Sequence, residues 1–160
     1  MESFIKKYDH YDHMLDDKDL HLIAILKENG RLPTKRISRK MEIPRTTVHH
    51  RIQKLVKEGV IKKFTIIPDY KKMGTPVTAF ILVSFLPTMD IKQREVAERI
   101  AQLEGVHEVH LISGEWDMIL KVRSPSMEKI GELVIDRLRE IKGVGKSVTC
   151  GCFSTTKEEP

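Results

Sequence analysis

Apolar residues recur along this chain in two rhythms, and the change falls near residue 64. Before it the spacing is helical. Leu20, Ile23 and Leu26, with Leu22 and Ala24 beside them, predict a helix opened by Asp16 and stopped by Asn29-Gly30. Acids at 16, 17 and 19 suit the positive end of its dipole. Ile37 and Met41, four apart, predict a second helix from about Lys35, with Thr34 as its cap. Glu42-Ile43 makes a turn. Pro44 then sits where a helix start tolerates proline. A third helix runs to about Glu58, with Val48, Ile52, Leu55 and Val56 as its inward stripe, and ends at Gly59.

Beyond it the pattern is that of strands. Phe64 to Ile67 reads as a strand and the rest of 64–74, closing at Gly74, as a linker. Val77 to Phe85 is almost wholly apolar, as expected of a strand buried on both faces. A helix follows from about Asp90 to Leu103, with Val96, Ile100 and Leu103 inward. Val106–Ile112 and Asp117–Val122 are strands joined by a hairpin turn, Ser113-Gly114-Glu115-Trp116. Ser126 caps a last helix carrying Ile130, Val134, Leu138 and Ile141, and Val144 to Thr155 is a final strand. The order β-α-β-β-α-β is that of a ferredoxin-like sandwich, so the fold class is α+β. Two helices cover one face of such a sheet. The apolar first strand implies a cover on the other face, most simply a second copy of the sheet in a two-fold dimer.

Charge sharpens this division. Residues 31–63 hold eleven Lys or Arg against two acids, Glu42 and Glu58, for a local +9, whereas the whole chain is only +5. A basic block holding two short helices and a tight turn points to a helix-turn-helix over about 34–53, with duplex DNA as partner. In that motif the second helix enters the major groove and the first crosses the backbone. With Val48 inward, Thr46, Thr47, His49, His50 and Gln53 are the side chains expected to read base edges. Arg36, Arg45, Arg51 and Lys54 are expected to hold phosphates, with Lys35, Arg39 and Lys40 on the preceding helix beside them. A dimer presents two such helices to a palindromic site.

Other classes recede. No apolar run approaches the roughly 20 residues of a membrane span. The polar first 14 residues lack the core of a secretion signal, so a cytoplasmic protein is expected. No phosphate-binding loop, dinucleotide fingerprint or nucleophile motif occurs. His10 with His13, and His107 with His110, have spacings seen in metal sites, and Cys150 and Cys152 share a strand face. None has a second pair nearby in sequence. Neither metal, cofactor nor catalytic residue is expected.

Several segments together resemble the Lrp/AsnC, or feast/famine, family of transcription regulators. They are Leu15-Asp16-Asp17-Lys18-Asp19, Gly30-Arg31, Thr47-Val48-His49-His50-Arg51-Ile52 with Leu55, Gly59-Val60-Ile61, the linker with Pro68 and Gly74, and Ser113-Gly114-Glu115-Trp116-Asp117. The resemblance covers about residues 15–156. It implies a helix-turn-helix domain over 15–63, a strand and linker over 64–76, and an effector-binding and oligomerisation domain over 77–156. Residues 1–14 form an extension and 157–160 a tail. It also implies dimers that assemble further, and an amino-acid effector near Ser113, Gly114, Glu115 and Asp117. A carboxylate beside exposed loop amides can hold both ends of an amino acid; the plain alternative is a turn capped by Asp117. The sequence departs from the family pattern at Glu42, where glycine is usual, at Ser38, where alanine is usual, and at Pro44, where serine is usual.

Two alternatives share the architecture. Sirohaem decarboxylases resemble the same two-domain family, but their motifs do not match Asp117-Met118-Ile119-Leu120 or His107-Glu108-Val109-His110. An oligomeric metabolite sensor without DNA binding has no need of the +9 block.

Overall fold

Asp16 begins the first helix as expected. Its carboxylate accepts from the Asp19 amide at 2.8 Å, and the Asp19 carboxylate faces the Asp16 amide in return, closing a capping box. The computed structural model describes residues 15–87 and 90–158. The extension over 1–14, with His10 and His13, lies outside the described residues. The chain divides into two compact units between Ile66 and Ile67.

The first unit holds α1 (Asp17–Glu28), α2 (Thr34–Met41) and α3 (Arg45–Lys57). Leu22, Ile25, Leu26, Ile37, Val48 and Leu55 form its core. Two inward positions differ from the sequence reading. Leu20 is 54% and Val56 45% exposed, because the buried face of α1 is set by Leu22, Ile25 and Leu26 and that of α3 by Val48, Ile52 and Leu55. Thr34 is the first residue of α2, not its cap. Pro33 holds the cap position, and Pro44 does the same for α3, so neither helix has a side-chain cap. Between the two helices Glu42 is left-handed, at φ 54°, ψ 38°. It is the lone non-glycine residue with positive φ among those described.

The expected strand over 64–67 does not form. Residues 62–69 make no ladder with any of the described residues, and an extended segment without a paired neighbour is not a strand. Phe64, Ile66 and Ile67 are exposed.

The second unit is a four-stranded antiparallel sheet in the order β2-β3-β1-β4, from β1 (Val77–Phe85), β2 (Val106–Leu111), β3 (Met118–Ser124) and β4 (Val144–Gly151). α4 (Gln93–Ala101) follows β1. α5 follows β3 as an α-helix over Met127–Glu132 that continues as a π-helical segment, Leu133–Leu138. Ser126 caps α5 as expected. Ala79, Ile81 and Val83 of β1 and Met118, Leu120 and Val122 of β3 pack with Val96, Ile100, Ile130, Val134 and Leu138. β1 is therefore buried on this face and only half covered on the other, where Phe80 is 36% exposed. β4 is shorter than expected. It ends at Gly151, after which the Cys152 amide makes one more bond to the Thr78 carbonyl. Cys150 and Cys152 are free thiols.

Candidate nucleic-acid interface

The core of the first unit fixes which face of α3 is free. Val48 and Leu55 are fully buried and Ile52 partly so. Helical spacing then leaves Arg45, Thr46, His49, His50, Gln53 and Lys54 exposed, with Thr47 half-buried beside them. On α2, Lys35, Arg36, Arg39 and Lys40 are all exposed. None of these four, nor Lys54, makes an ion pair or side-chain hydrogen bond among the described residues. Arg45 is steadied by its Nε donating to Thr34 Oγ1 at 3.0 Å, which links the starts of α2 and α3. Both helices begin without a side-chain cap and without an acid in the first turn. Their first amides lack intrahelical acceptors and suit an anion, such as a phosphate, from outside.

The turn carries its own fastening. The Ser38 hydroxyl donates to the Ile43 carbonyl at 2.6 Å, and the Ile43 amide returns to the Ser38 carbonyl at 3.2 Å. The left-handed Glu42 lies inside this same turn, between Ser38 and Ile43.

Arg51 faces away from that surface. Its Nη1 donates to Asp19 at 2.7 Å and pairs with Asp16 at 2.8 Å, so it joins α3 to the start of α1. These bonds hold the Asp16 carboxyl below its ordinary range, chiefly through the Asp19 amide and then through Arg51, and raise Arg51 further. The structure therefore gives Arg51 a partner within the chain, where the sequence suggested a phosphate. The sign was present: acids at 16 and 19 lie on one helical face, but their meeting with residue 51 is a matter of packing.

In the second unit the 113–117 hairpin has a similar division of labour. Ser113, Gly114 and Glu115 are exposed, and Gly114 takes φ 132°. Asp117 turns inward. Its Oδ2 accepts from the Phe85 amide at 2.7 Å, its own amide donates to Val83 and its carbonyl accepts from Ile112. Gln93 Nε2 reaches it at 3.4 Å. This carboxylate ties the end of β1 and the start of α4 to the hairpin. The sequence reading missed a second feature of this unit. A cavity of about 690 Å³ lies at the opposite end of β3, with Tyr70, His107 and Arg123 in its wall. The alternation of Lys121 and Arg123 with apolar residues along β3 was its available signal.

A three-helix unit with a free basic helix face, followed by a βαββαβ unit, defines a class of two-domain DNA-binding regulators. Comparison narrows the class. Residues 15–62 match the winged helix-turn-helix DNA-binding family, and residues 78–160 match the Lrp/AsnC ligand-binding domain. The chain is 55% identical over 146 residues to the uncharacterized HTH-type transcriptional regulator PH1916 of Pyrococcus horikoshii, covering 91% of this chain and 97% of that one. It is 36% identical over 144 residues to the HTH-type transcriptional regulator FL11 of the same organism, covering 90% and 93%. Among solved structures, LrpC of B. subtilis superposes with TM-score 0.78 at 25% identity, over 91% of this chain and 99% of that one. The transcriptional regulator NMB0573 of Neisseria meningitidis, solved in complex with L-Met, superposes with TM-score 0.85 at 23% identity, over 91% and 94%. The chain belongs to the Lrp/AsnC family: it is a DNA-binding transcriptional regulator with a ligand-binding domain. No helix among the described residues is long and apolar enough to cross a membrane.

Proposed function

We propose that this regulator reads duplex DNA through α3 and anchors itself through α2. The observation that carries the reading is the exposed basic face of the two helices, where Lys35, Arg36, Arg39, Lys40 and Lys54 have no ion-pair partner among the described residues. Thr46, Thr47, His49, His50 and Gln53 read base edges, while Lys35, Arg36, Arg39, Lys40, Arg45 and Lys54 meet phosphates. Arg51 is left out of the phosphate set and acts instead by fixing α3 on α1, as its bonds to Asp16 and Asp19 support. The protein acts in the cytoplasm, as a regulator and not as an enzyme.

An amino acid modulates it at the hairpin. The exposed Ser113, Gly114 and Glu115 offer the contacts, and Asp117 holds the loop in shape. The L-Met complex of the Neisseria relative supports this ligand class. The working unit is a homodimer or a higher assembly, with the open sheet face as interface. Phe80 and Val148, 36% and 44% exposed, support that cover.

The test is a titration onto duplex DNA from the protein's own upstream region, with a scrambled duplex, a salt series and a pool of amino acids alongside. Selective binding that weakens steeply with salt is expected, with a shift when the effector is added. Weak, unselective binding at every salt overturns the reading.

A further inference from the structure

The register sets three rows of side chains across the open face of the sheet. Ile119, Leu82 and Val148 form the first, and Lys121, Phe80 and Cys150 the second. Arg123 and Thr78 form the third, which Cys152 joins through its amide. Burial along these rows runs against polarity. The apolar Phe80 and Val148 are open to water. The side chains of Arg123 and Lys121 are only 9% and 15% exposed. The chain beyond β4 makes this difference. The Cys152 amide donates to the Thr78 carbonyl at 2.9 Å. Six residues on, the Glu158 carboxylate accepts from Arg123 Nη2 at 2.6 and 2.7 Å and from Lys121 Nζ. The segment 152–158 therefore passes from β4, at the edge, over β1 to β3, and closes the third row. Arg123 is steadied beneath it: Nη1 donates to Thr78 Oγ1 at 3.2 Å, and the guanidinium lies 3.8 Å from the Tyr70 ring centroid.

Phe153 lies in this segment and is fully exposed. A lone apolar side chain at a surface is ordinary. This one is held in place. The segment is bonded at both ends, and within it the Cys152 thiol donates to the Ser154 carbonyl at 3.3 Å. An aromatic ring on an ordered segment has lost freedom without gaining burial. The sheet face beside it has the opposite shortage. Its two open rows cross four strands about 4.8 Å apart, a few hundred Å² of face, against about 800 Å² per partner in a stable contact. A second copy seated on those rows needs an adjoining surface, and the segment 152–158 borders them. Glu158 also answers the two cations of the face, so a second sheet can approach without burying an uncompensated charge.

We propose that the segment 152–158 is a docking arm of the homodimer: Glu158 clasps it to Arg123 and Lys121, and Phe153 packs on the second copy beside the open sheet face. This rests on the dimer reading given above and adds the residue that completes the contact. The clasp orders the arm before association, so that ordering is not charged against the dimer. Two-fold symmetry uses the arm twice, once from each copy.

The experiment measures the dimer dissociation constant of the full-length protein and its variants by sedimentation equilibrium, with circular dichroism to show that each is folded. Phe153→Ser is expected to weaken the dimer about tenfold or more, since each dimer loses two rings. Phe153→Tyr, which keeps the ring, should retain most of the affinity. Glu158→Gln should weaken the dimer about threefold or more by releasing the arm. Val148→Lys, on the open face itself, should give monomers. Ile135→Ser, at a 60% exposed position on α5, should dimerise like the parent. Parent-like dimerisation of Phe153→Ser or of Glu158→Gln, with Val148→Lys monomeric, overturns the proposal and leaves the sheet-face dimer standing. Loss of a higher assembly in Phe153→Ser with an unchanged dimer constant also overturns it. A parent that is monomeric at every concentration removes the dimer reading and the proposal together.

Discussion

Arg51 and Asp19 face each other across the first unit, 2.7 Å apart, with Asp19 only 1% exposed. The guanidinium of the recognition helix is thereby the counter-charge of a carboxylate buried at the start of α1. A buried carboxylate without its partner is strongly destabilising. Arg51→Met is expected to lower unfolding stability by about 3 kcal/mol, measured by denaturant titration. The double change Asp19→Asn with Arg51→Met should recover part of that loss. A single variant as stable as the parent would show that the pair does not fasten α3.

The base-reading and phosphate-holding roles separate by salt dependence. Arg39→Gln and Lys54→Gln should each reduce the slope of log affinity against log salt by about 0.9, with similar loss on all duplexes. Thr47→Ala with His50→Ala should leave the slope unchanged and lower discrimination between specific and scrambled duplex by about 1–3 kcal/mol per lost base contact. Uniform loss across sequences from the second pair would remove it from the reading set.

Glu42 is held left-handed, at φ 54°, in the turn before α3. A side chain there is unfavourable by about 1 kcal/mol relative to glycine. Glu42→Gly is therefore expected to raise the melting temperature by a few degrees. Ser38→Ala removes the 2.6 Å bond to the Ile43 carbonyl and should lower stability by about 1 kcal/mol. Because both act on one turn, the double variant should depart from additivity. Strict additivity would show that the two positions act independently.

His107 gives a pH signature. Burial first, then the charges of Arg123 and Lys121, hold its imidazole below the ordinary 6.5. Over the window from 6.5 down to that lowered value the unfolded chain binds a proton that the folded chain refuses. Stability therefore falls with decreasing pH across that window and rises with increasing pH. His107→Gln should flatten this slope in melting temperatures taken between about pH 5 and pH 7. An unchanged slope would place the titration elsewhere.

Much of this molecule was legible along the chain. The helical spacing of Leu22, Ile37, Val48 and Leu55, the cap at Asp16, the Asn29-Gly30 stop and the hairpin around Gly114 are local preferences, written in neighbouring residues. The +9 block is additive and needs no fold to be counted. The order of strands and helices in the βαββαβ unit follows from these local signals, whereas the family came from the resemblance of segments such as Thr47-Val48-His49-His50-Arg51-Ile52 and Ser113-Gly114-Glu115-Trp116-Asp117.

What the tertiary structure decided are pairings between residues distant in sequence. Arg51 against Asp19, Asp117 against the Phe85 amide, and Glu158 against Arg123 lie 32, 32 and 35 positions apart. No local periodicity encodes such meetings, because they depend on where rigid elements pack. A strand over 64–67 needs a partner edge, and none among the described residues pairs with it. A charged side chain can be recognised in a sequence, but its role is set by the charge it faces. Only the fold brings Arg51 to two aspartates and leaves Arg39 and Lys54 without an ion-pair partner among the described residues.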